Sequence, residues 1–462
     1  MLFNSFNFLV FFPLVTAIYF LLPHRFRWIH LLICSCVFYC FFVPEYLSIL
    51  ALTIVVDYAA GIYIEKSAGN KRKWWLIISI VVTCLILFAF KYYNFFASSI
   101  SGLAEFFGLH YPVKVLSILL PIGLSFHTFQ SLSYVIEVYR GNQKAERHFG
   151  IYALYVLFYP QLVAGPIERP QNMLHQFREK HEFEYDHVIS GLKKILWGIF
   201  KKIVIADRLA VYVDLVYNNQ EHHNGPTLML ATVFFAFQIY CDFSGYSDIA
   251  IGVARVMGFK LMTNFNRPYL ARSVAEFWKR WHISLSTWFK DYVYIPLGGN
   301  RVSKIRLASN LLLTFAISGL WHGANWTFVI WGTLNGIYLV ISNWIGQKHR
   351  PVYHILLTFC LIAFSWIFFR AQNLSQALMI VQKIGTTTGG LYIGDPRSLA
   401  YGVFFLTVLL ITECAEEFKW FNSFSLFAND SKIVRRGSYL LVVLIVLLFG
   451  VLDNSQFIYF QF

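Results

Sequence analysis

Charge is what this 462-residue sequence has least of. Asp, Glu, Lys and Arg make up 13% of it, about half the share in soluble globular chains. So little charge cannot clothe soluble domains, which excludes a soluble enzyme and a nucleic-acid-binding protein. The 57% hydrophobic content excludes a disordered chain as well. Acidic residues are scarcest, 24 against 38 basic ones, for a formal net charge of +14. Cysteine is sparse and scattered: Cys34, Cys36, Cys40, Cys84, Cys241, Cys360 and Cys414 all lie in apolar stretches and form no C-x-x-C pair. A disulfide framework or a thiol-rich metal site is therefore excluded. There is also no P-loop, dinucleotide fingerprint, G-x-S-x-G elbow or H-E-x-x-H pair, so ATP hydrolysis, redox cofactors, serine-esterase and zincin chemistry lack support. Neither a bound cofactor nor a metal is expected. Internal repeats, low-complexity tracts and Gly/Ser linkers are missing, so residues 1–462 are expected to form one integral domain.

What the chain has is recurring apolar runs, many of them near or above 18 residues, the signature of transmembrane helices. They fall at 6–22, 28–43, 46–64, 74–90, 115–138, 149–165, 195–217, 228–256, 307–320, 325–345, 352–369, 399–415 and 437–452. The expected fold is all-α: a polytopic membrane bundle of about 11–13 apolar segments, some re-entrant, around a central tunnel. The run 6–22 lacks a basic flank and a small-residue cleavage site, so it is expected to be a retained first helix. Basic clusters set orientation. Arg25 and Arg27, then Lys66, Lys71, Arg72 and Lys73, then Arg140, Lys144 and Arg147 follow alternate spans. The N-terminus is then outside and these loops are cytoplasmic, in a bacterial cytoplasmic membrane.

Parity fails next. The stretch 166–208 carries eight basic residues and should also be cytoplasmic, yet only 149–165 separates it from the preceding cytoplasmic loop. Pro160, Gly165 and Pro166 break that segment, predicting a re-entrant hairpin with its backbone buried by protein. Residues 255–306, with ten basic and two acidic side chains, are too polar to span. Within them Val274, Phe277, Trp278, Trp281, Leu285, Trp288, Phe289 and Tyr292 recur at helical spacing. They predict an amphipathic helix on the cytoplasmic side.

Candidate chemistry concentrates in 307–347, 41 residues without an Asp, Glu, Lys or Arg. This reads as a tight hairpin of two spans, and its single ionisable group is His322, between Trp321 and Gly323. An intramembrane ionisable residue marks a functional site by default, and histidine accepts a proton near neutral pH while staying neutral in apolar surroundings. The bland reading, a neutral histidine bonded to a helix carbonyl, is outweighed by the Gly, Asn and Trp crowded about it. His282, beside Trp278 and Trp281, reads equally well as a channel-lining partner or as part of an interfacial aromatic belt. Asp242, Ser244 and Asp248 interrupt an apolar run. They could line a substrate channel, though helix-to-helix bonding is the commoner outcome, as it is for Asp57 and for the Phe126-His127-Thr128-Phe129-Gln130 segment. The adjacent His222 and His223 fit a solvated outer loop.

Several segments taken together resemble the membrane-bound O-acyltransferase family, in its bacterial alginate O-acetyltransferase-like branch. They are Phe126-His127-Thr128-Phe129-Gln130-Ser131 with Tyr139-Arg140-Gly141, Tyr159-Pro160-Gln161-Leu162-Val163-Ala164-Gly165-Pro166-Ile167, Asp242-Phe243-Ser244-Gly245-Tyr246-Ser247-Asp248, Asn264-Phe265-Asn266-Arg267-Pro268-Tyr269, Glu276-Phe277-Trp278-Lys279-Arg280-Trp281-His282, Asp291-Tyr292-Val293-Tyr294-Ile295-Pro296 and Leu320-Trp321-His322-Gly323-Ala324. The resemblance implies that His322 is the catalytic histidine, that His282 is a second active-site residue, and that a tunnel joins a cytoplasmic acyl donor to an acceptor across the bilayer. The expected chemistry is acyl transfer with His322 as general base, with Asn325 or the Trp321 N–H stabilising the oxyanion. The expected donor is acetyl-CoA or another acyl thioester. The expected acceptor is an envelope or exported polysaccharide such as alginate, reached through a periplasmic or extracellular O-acetyltransferase partner. The alternatives are D-alanyl transfer from a carrier protein to teichoic acid, or a non-catalytic acyl or glycan transporter.

Overall fold

The computed structural model describes residues 1–109, 115–116, 120–163, 165–346, 351–420 and 431–451. Among them every regular element is helical. Residues 117–119 of the fifth expected span, Ala164 of the sixth, Gln347 of the charge-free stretch and Leu452 of the last lie outside this set. Among the described residues, five helices are long and apolar enough to cross a membrane: Tyr46–Lys66, Gly69–Phe106, Gly225–Val256, Trp326–Ile345 and Pro396–Glu417. Phe6–Leu21 and His354–Arg370 are shorter apolar helices. Two compact units emerge, Met1–Gly191 with Ala250–Met262, and Leu192–Ile249 with Thr263–Phe462.

In the first unit, Tyr46–Lys66, Gly69–Phe106 and Leu124–Arg140 pack on one another through buried polar groups. The Asp57 carboxylate, fully buried, accepts bonds from Ser79 (2.5 Å) and Thr83 (3.2 Å), and His127 bonds Thr53. These are the helix-to-helix contacts expected of mid-span polar residues. The fourth expected span, 74–90, runs farther than anticipated. Its helix passes through a π-turn at Phe88–Tyr92 and continues to Phe106.

The segment with the parity problem forms a helix of only nine residues, Phe149–Leu157. That is about 14 Å of rise, half the hydrocarbon thickness. The chain then turns at Phe158 into the short helix Tyr159–Leu162, and every residue from Ile151 to Val163 is buried. Helix ends leave carbonyls without partners, and here side chains answer. The Tyr155 carbonyl accepts from the Gln130 amide at 2.6 Å and the Gln161 amide at 2.7 Å. Beyond the break, the buried Glu168 carboxylate accepts from the Met262 N–H and the Asn172 amide.

In the second unit, the charge-free stretch is a hairpin of Lys304–His322 and Trp326–Ile345. It closes on glycine: a Cβ on Gly319 would strike the Phe328 carbonyl, and one on Gly332 the Phe315 carbonyl. The second arm starts at Asn325, whose Oδ1 accepts the Thr327 N–H at 3.1 Å, the ordinary N-cap arrangement. Helix Leu374–Thr386, capped by Asn373, was not anticipated. The amphipathic stretch is two helices rather than one, Val274–Arg280 and Ile283–Phe289, and the break falls at His282.

Candidate active site

Helical periodicity alone would carry the chain through residue 282, since no glycine or proline stands nearby. Contacts from residues 264–266 stop it. The Ile283 N–H donates to the Asn264 carbonyl at 2.9 Å, and the Asn266 N–H donates to the Arg280 carbonyl at 2.9 Å. The Ser284 N–H donates to Asn264 Oδ1 at 3.2 Å. Asn264 thus caps the Ile283–Phe289 helix from a distance, and His282 is left in the left-handed region at φ 41, ψ 56. L-residues adopt that region at a cost of roughly 1–2 kcal/mol, and such strain clusters at functional sites. The clamp is anchored by charge: Arg267 pairs with Glu416 (2.9 Å) and Glu417 (2.8 Å), and Arg280 with Glu417 (2.8 Å) and Glu276 (2.6 Å).

His322 is the last residue of its helix, and the chain leaves it extended through Gly323. A Cβ at Gly323 would collide with the Phe328 ring, so the glycine there admits the hairpin's second arm. The imidazole is 4% exposed. Edges and faces of three rings surround it: Trp321 (4.9 Å between centroids), Trp331 (5.0 Å) and Phe369 (5.5 Å). His282 is 1% exposed and lies edge to face against Phe243 at 4.6 Å. The two imidazoles are 6.5 Å apart, centroid to centroid.

A cavity of about 200 Å³ has Trp278, Lys279, Ser286, Lys290, Tyr294 and Ser318 in its wall. Ser318 lies one helical turn before His322. Lys279 and Lys290 are exposed and give the cavity a positive rim, while its interior is largely apolar.

The other expected site residues fall in different places. Trp278 borders the cavity, and its ring is 5.8 Å from Trp331. Trp281 is packed away at 1% exposure, stacked on Phe277 at 5.4 Å. Asp242 pairs with Lys202 at 2.8 Å, and Lys202 also holds Asp207 at 2.8 Å. Ser244 accepts from Lys201 Nζ at 2.9 Å, and Lys201 in turn pairs with Asp248. These groups knit Leu192–Tyr217 to Gly225–Ile249, which also meet where Gly198 and Gly245 face each other's carbonyls. Asn325 caps its helix and donates to the Gln372 carbonyl at 2.8 Å, so both ends of its amide are engaged. Sequence reading missed Asn264, Phe243, Trp331 and Phe369. Trp331 did carry a signal, as an indole nine residues past His322 in the same charge-free hairpin.

Among the described residues, every regular element is helical, five helices are long and apolar enough to cross a membrane, and two buried histidines lie 6.5 Å apart. The model of the membrane-bound O-acyltransferase family matches residues 147–380, which include both histidines, and the chain belongs to that family as a multi-pass O-acyltransferase. It is 42% identical over 384 residues to a probable alginate O-acetylase of Pseudomonas aeruginosa, covering 82% of this chain and 73% of that one. A peptidoglycan O-acetyltransferase of Helicobacter pylori is 36% identical over 76% of this chain and 72% of its own. A teichoic acid D-alanyltransferase of Streptococcus thermophilus is 33% identical over 49% of this chain and 58% of its own.

Proposed function

We propose that the protein moves an acetyl group from acetyl-CoA on the cytoplasmic side of a bacterial inner membrane to O-acetylate an exported or envelope polysaccharide of the alginate kind. The observation that carries this is the pair of buried imidazoles 6.5 Å apart beside a cavity whose rim bears Lys279 and Lys290. That rim attracts the donor's phosphates, and the apolar interior takes its thioester arm. His322 Nε2 or Nδ1 removes the proton of an acceptor hydroxyl, and the oxygen attacks the thioester carbon. The thiolate leaves and recovers the proton from the imidazolium. General base catalysis of this kind contributes about 10²–10⁴-fold. His282, fixed by the Asn264 clamp, positions the thioester. A periplasmic transferase partner completes delivery to the polymer.

D-alanyl transfer is the weaker reading, since the relative with that name covers half of this chain and the alginate and peptidoglycan acetylases cover three quarters or more. The test is acetyl release from acetyl-CoA and its appearance on oligosaccharide with wild-type, His322→Ala and His322→Gln proteins purified in detergent. Both variants should fold and lose transfer by at least 10²-fold. Wild-type rates in His322→Ala would overturn the assignment.

A further inference from the structure

Two indole N–H groups at the site have nothing to bond. Trp278 Nε1 and Trp331 Nε1 are buried and have no hydrogen-bond partner among the described residues, although buried N–H donors nearly always find one. The packing does not forbid it. Trp366, whose ring lies 5.5 Å from that of Trp331, donates its indole N–H to the Tyr269 hydroxyl at 3.1 Å, and that hydroxyl passes a bond on to the Ala236 carbonyl at 2.6 Å. The two unmatched donors lie together, their rings 5.8 Å apart. Trp331 lies 5.0 Å from the His322 ring, and Trp278 lines the cavity.

Resting on the acyl-transfer reading above, we infer that Trp278 and Trp331 bind the carbonyl oxygen of the donor's acyl group through their indole N–H groups. When the acceptor oxygen forms its bond to the thioester carbon, the carbonyl π electrons move to oxygen and the hydroxyl proton moves to His322. On collapse the C=O bond reforms and the C–S bond breaks, and the thiolate takes the proton from the imidazolium. The oxygen is fully negative only in between, where preorganised donors count most. Neutral indoles suit this buried, apolar place because they bring no charge that would itself need solvation. Asn325, an expected donor for this role, already has both ends of its amide bonded.

Trp278→Phe and Trp331→Phe keep a ring in place and remove the donor. Each should lower kcat at least tenfold with the KM for acetyl-CoA and the Tm unchanged, and the double variant should lose about 10²–10³-fold. With the two indoles labelled with ¹⁵N, the ketone analogue acetonyl-CoA should move both N–H resonances downfield, and ethyl-CoA, which lacks the carbonyl, should not. Rates within twofold of wild type, a KM rise at constant kcat, or unmoved resonances with the ketone bound would each overturn the inference. A wild-type protein that leaves acetyl-CoA intact would instead sink the acetyl-transfer reading, and this inference with it.

Discussion

At His282 the backbone makes a prediction that reverses a general rule. Glycine in regular structure is less stable than alanine by roughly 0.5–1 kcal/mol, because it loses more freedom on folding. At φ 41, ψ 56 the order should invert, since alanine's Cβ meets the steric penalty of the left-handed region, roughly 1–2 kcal/mol, and glycine does not. His282→Gly and His282→Ala both delete a ring that is 1% exposed, so the lost packing cancels between them and the backbone term remains. Subtracting glycine's entropic handicap leaves His282→Gly the more stable by about 1 kcal/mol. That is a factor of about 5 in the unfolding constant, readable as a shifted denaturation midpoint in detergent. Neither variant should transfer acyl groups. An alanine variant equal to or more stable than the glycine one would show that residue 282 does not hold the left-handed conformation, and the clamp built on Asn264 would lose its purpose.

Asn264→Ala removes the acceptor of the Ser284 N–H and should cost about 1–2 kcal/mol of stability, as lost helix caps do. It should lower kcat more than the melting temperature alone explains; equal proportional losses would argue against a positioning role. Lys202→Ala removes the ammonium that pairs with both Asp207 and Asp242, whose side chains are 4% exposed, and should cost about 3–5 kcal/mol. Folded protein should disappear from a size-exclusion profile and return in the triple variant K202M/D207N/D242N. Asp242→Asn should depress Tm while leaving kcat within a few-fold, and a His322→Ala-like loss of rate at unchanged Tm would restore its channel role. Burial holds the Glu168 carboxyl up at about 7 against the Met262 N–H, the Asn172 amide and Arg169, all of which lower it. A carboxyl with a raised pKa favours folding while protonated, so its stabilisation is complete below the ordinary value of 4.5 and is lost as pH rises to about 7. Glu168→Gln should flatten Tm against pH across that window, and an unchanged slope would count against it.

Much of the fold was legible because membranes enforce a strict code. Each apolar run had to be a helix, since lipid satisfies no backbone group, and residues 307–345 of the charge-free stretch lie where Lys304–His322 and Trp326–Ile345 pair. The broken segment at 149–165 was legible from loop charge and Pro160. Its internal satisfaction by Gln130 and Gln161 was not, because that depends on which helix lies alongside. The Leu374–Thr386 helix escaped notice because its 13 residues are too short for a spanning signal. The extension to Phe106 was hidden by Lys91, a residue that reads as a loop and here sits in a π-turn.

The site divides along the same line. His322 stands out as a candidate on local sequence alone, as the single ionisable group in a charge-free stretch. His282 does not, because its meaning comes from bonds to a segment 16–18 residues earlier in the chain. Locally it looks like one more position on an amphipathic stripe. Asp242 misleads for the opposite reason: a carboxylate inside an apolar run looks available until Lys202, forty residues away, is found paired to it. Both cases follow from one physical fact, that a buried polar group is defined by its partner. Where the partner is distant in sequence, the residue's role is invisible until the chain is folded. Where the described chain offers no partner, as at the Trp278 and Trp331 indoles, the missing acceptor points to the substrate.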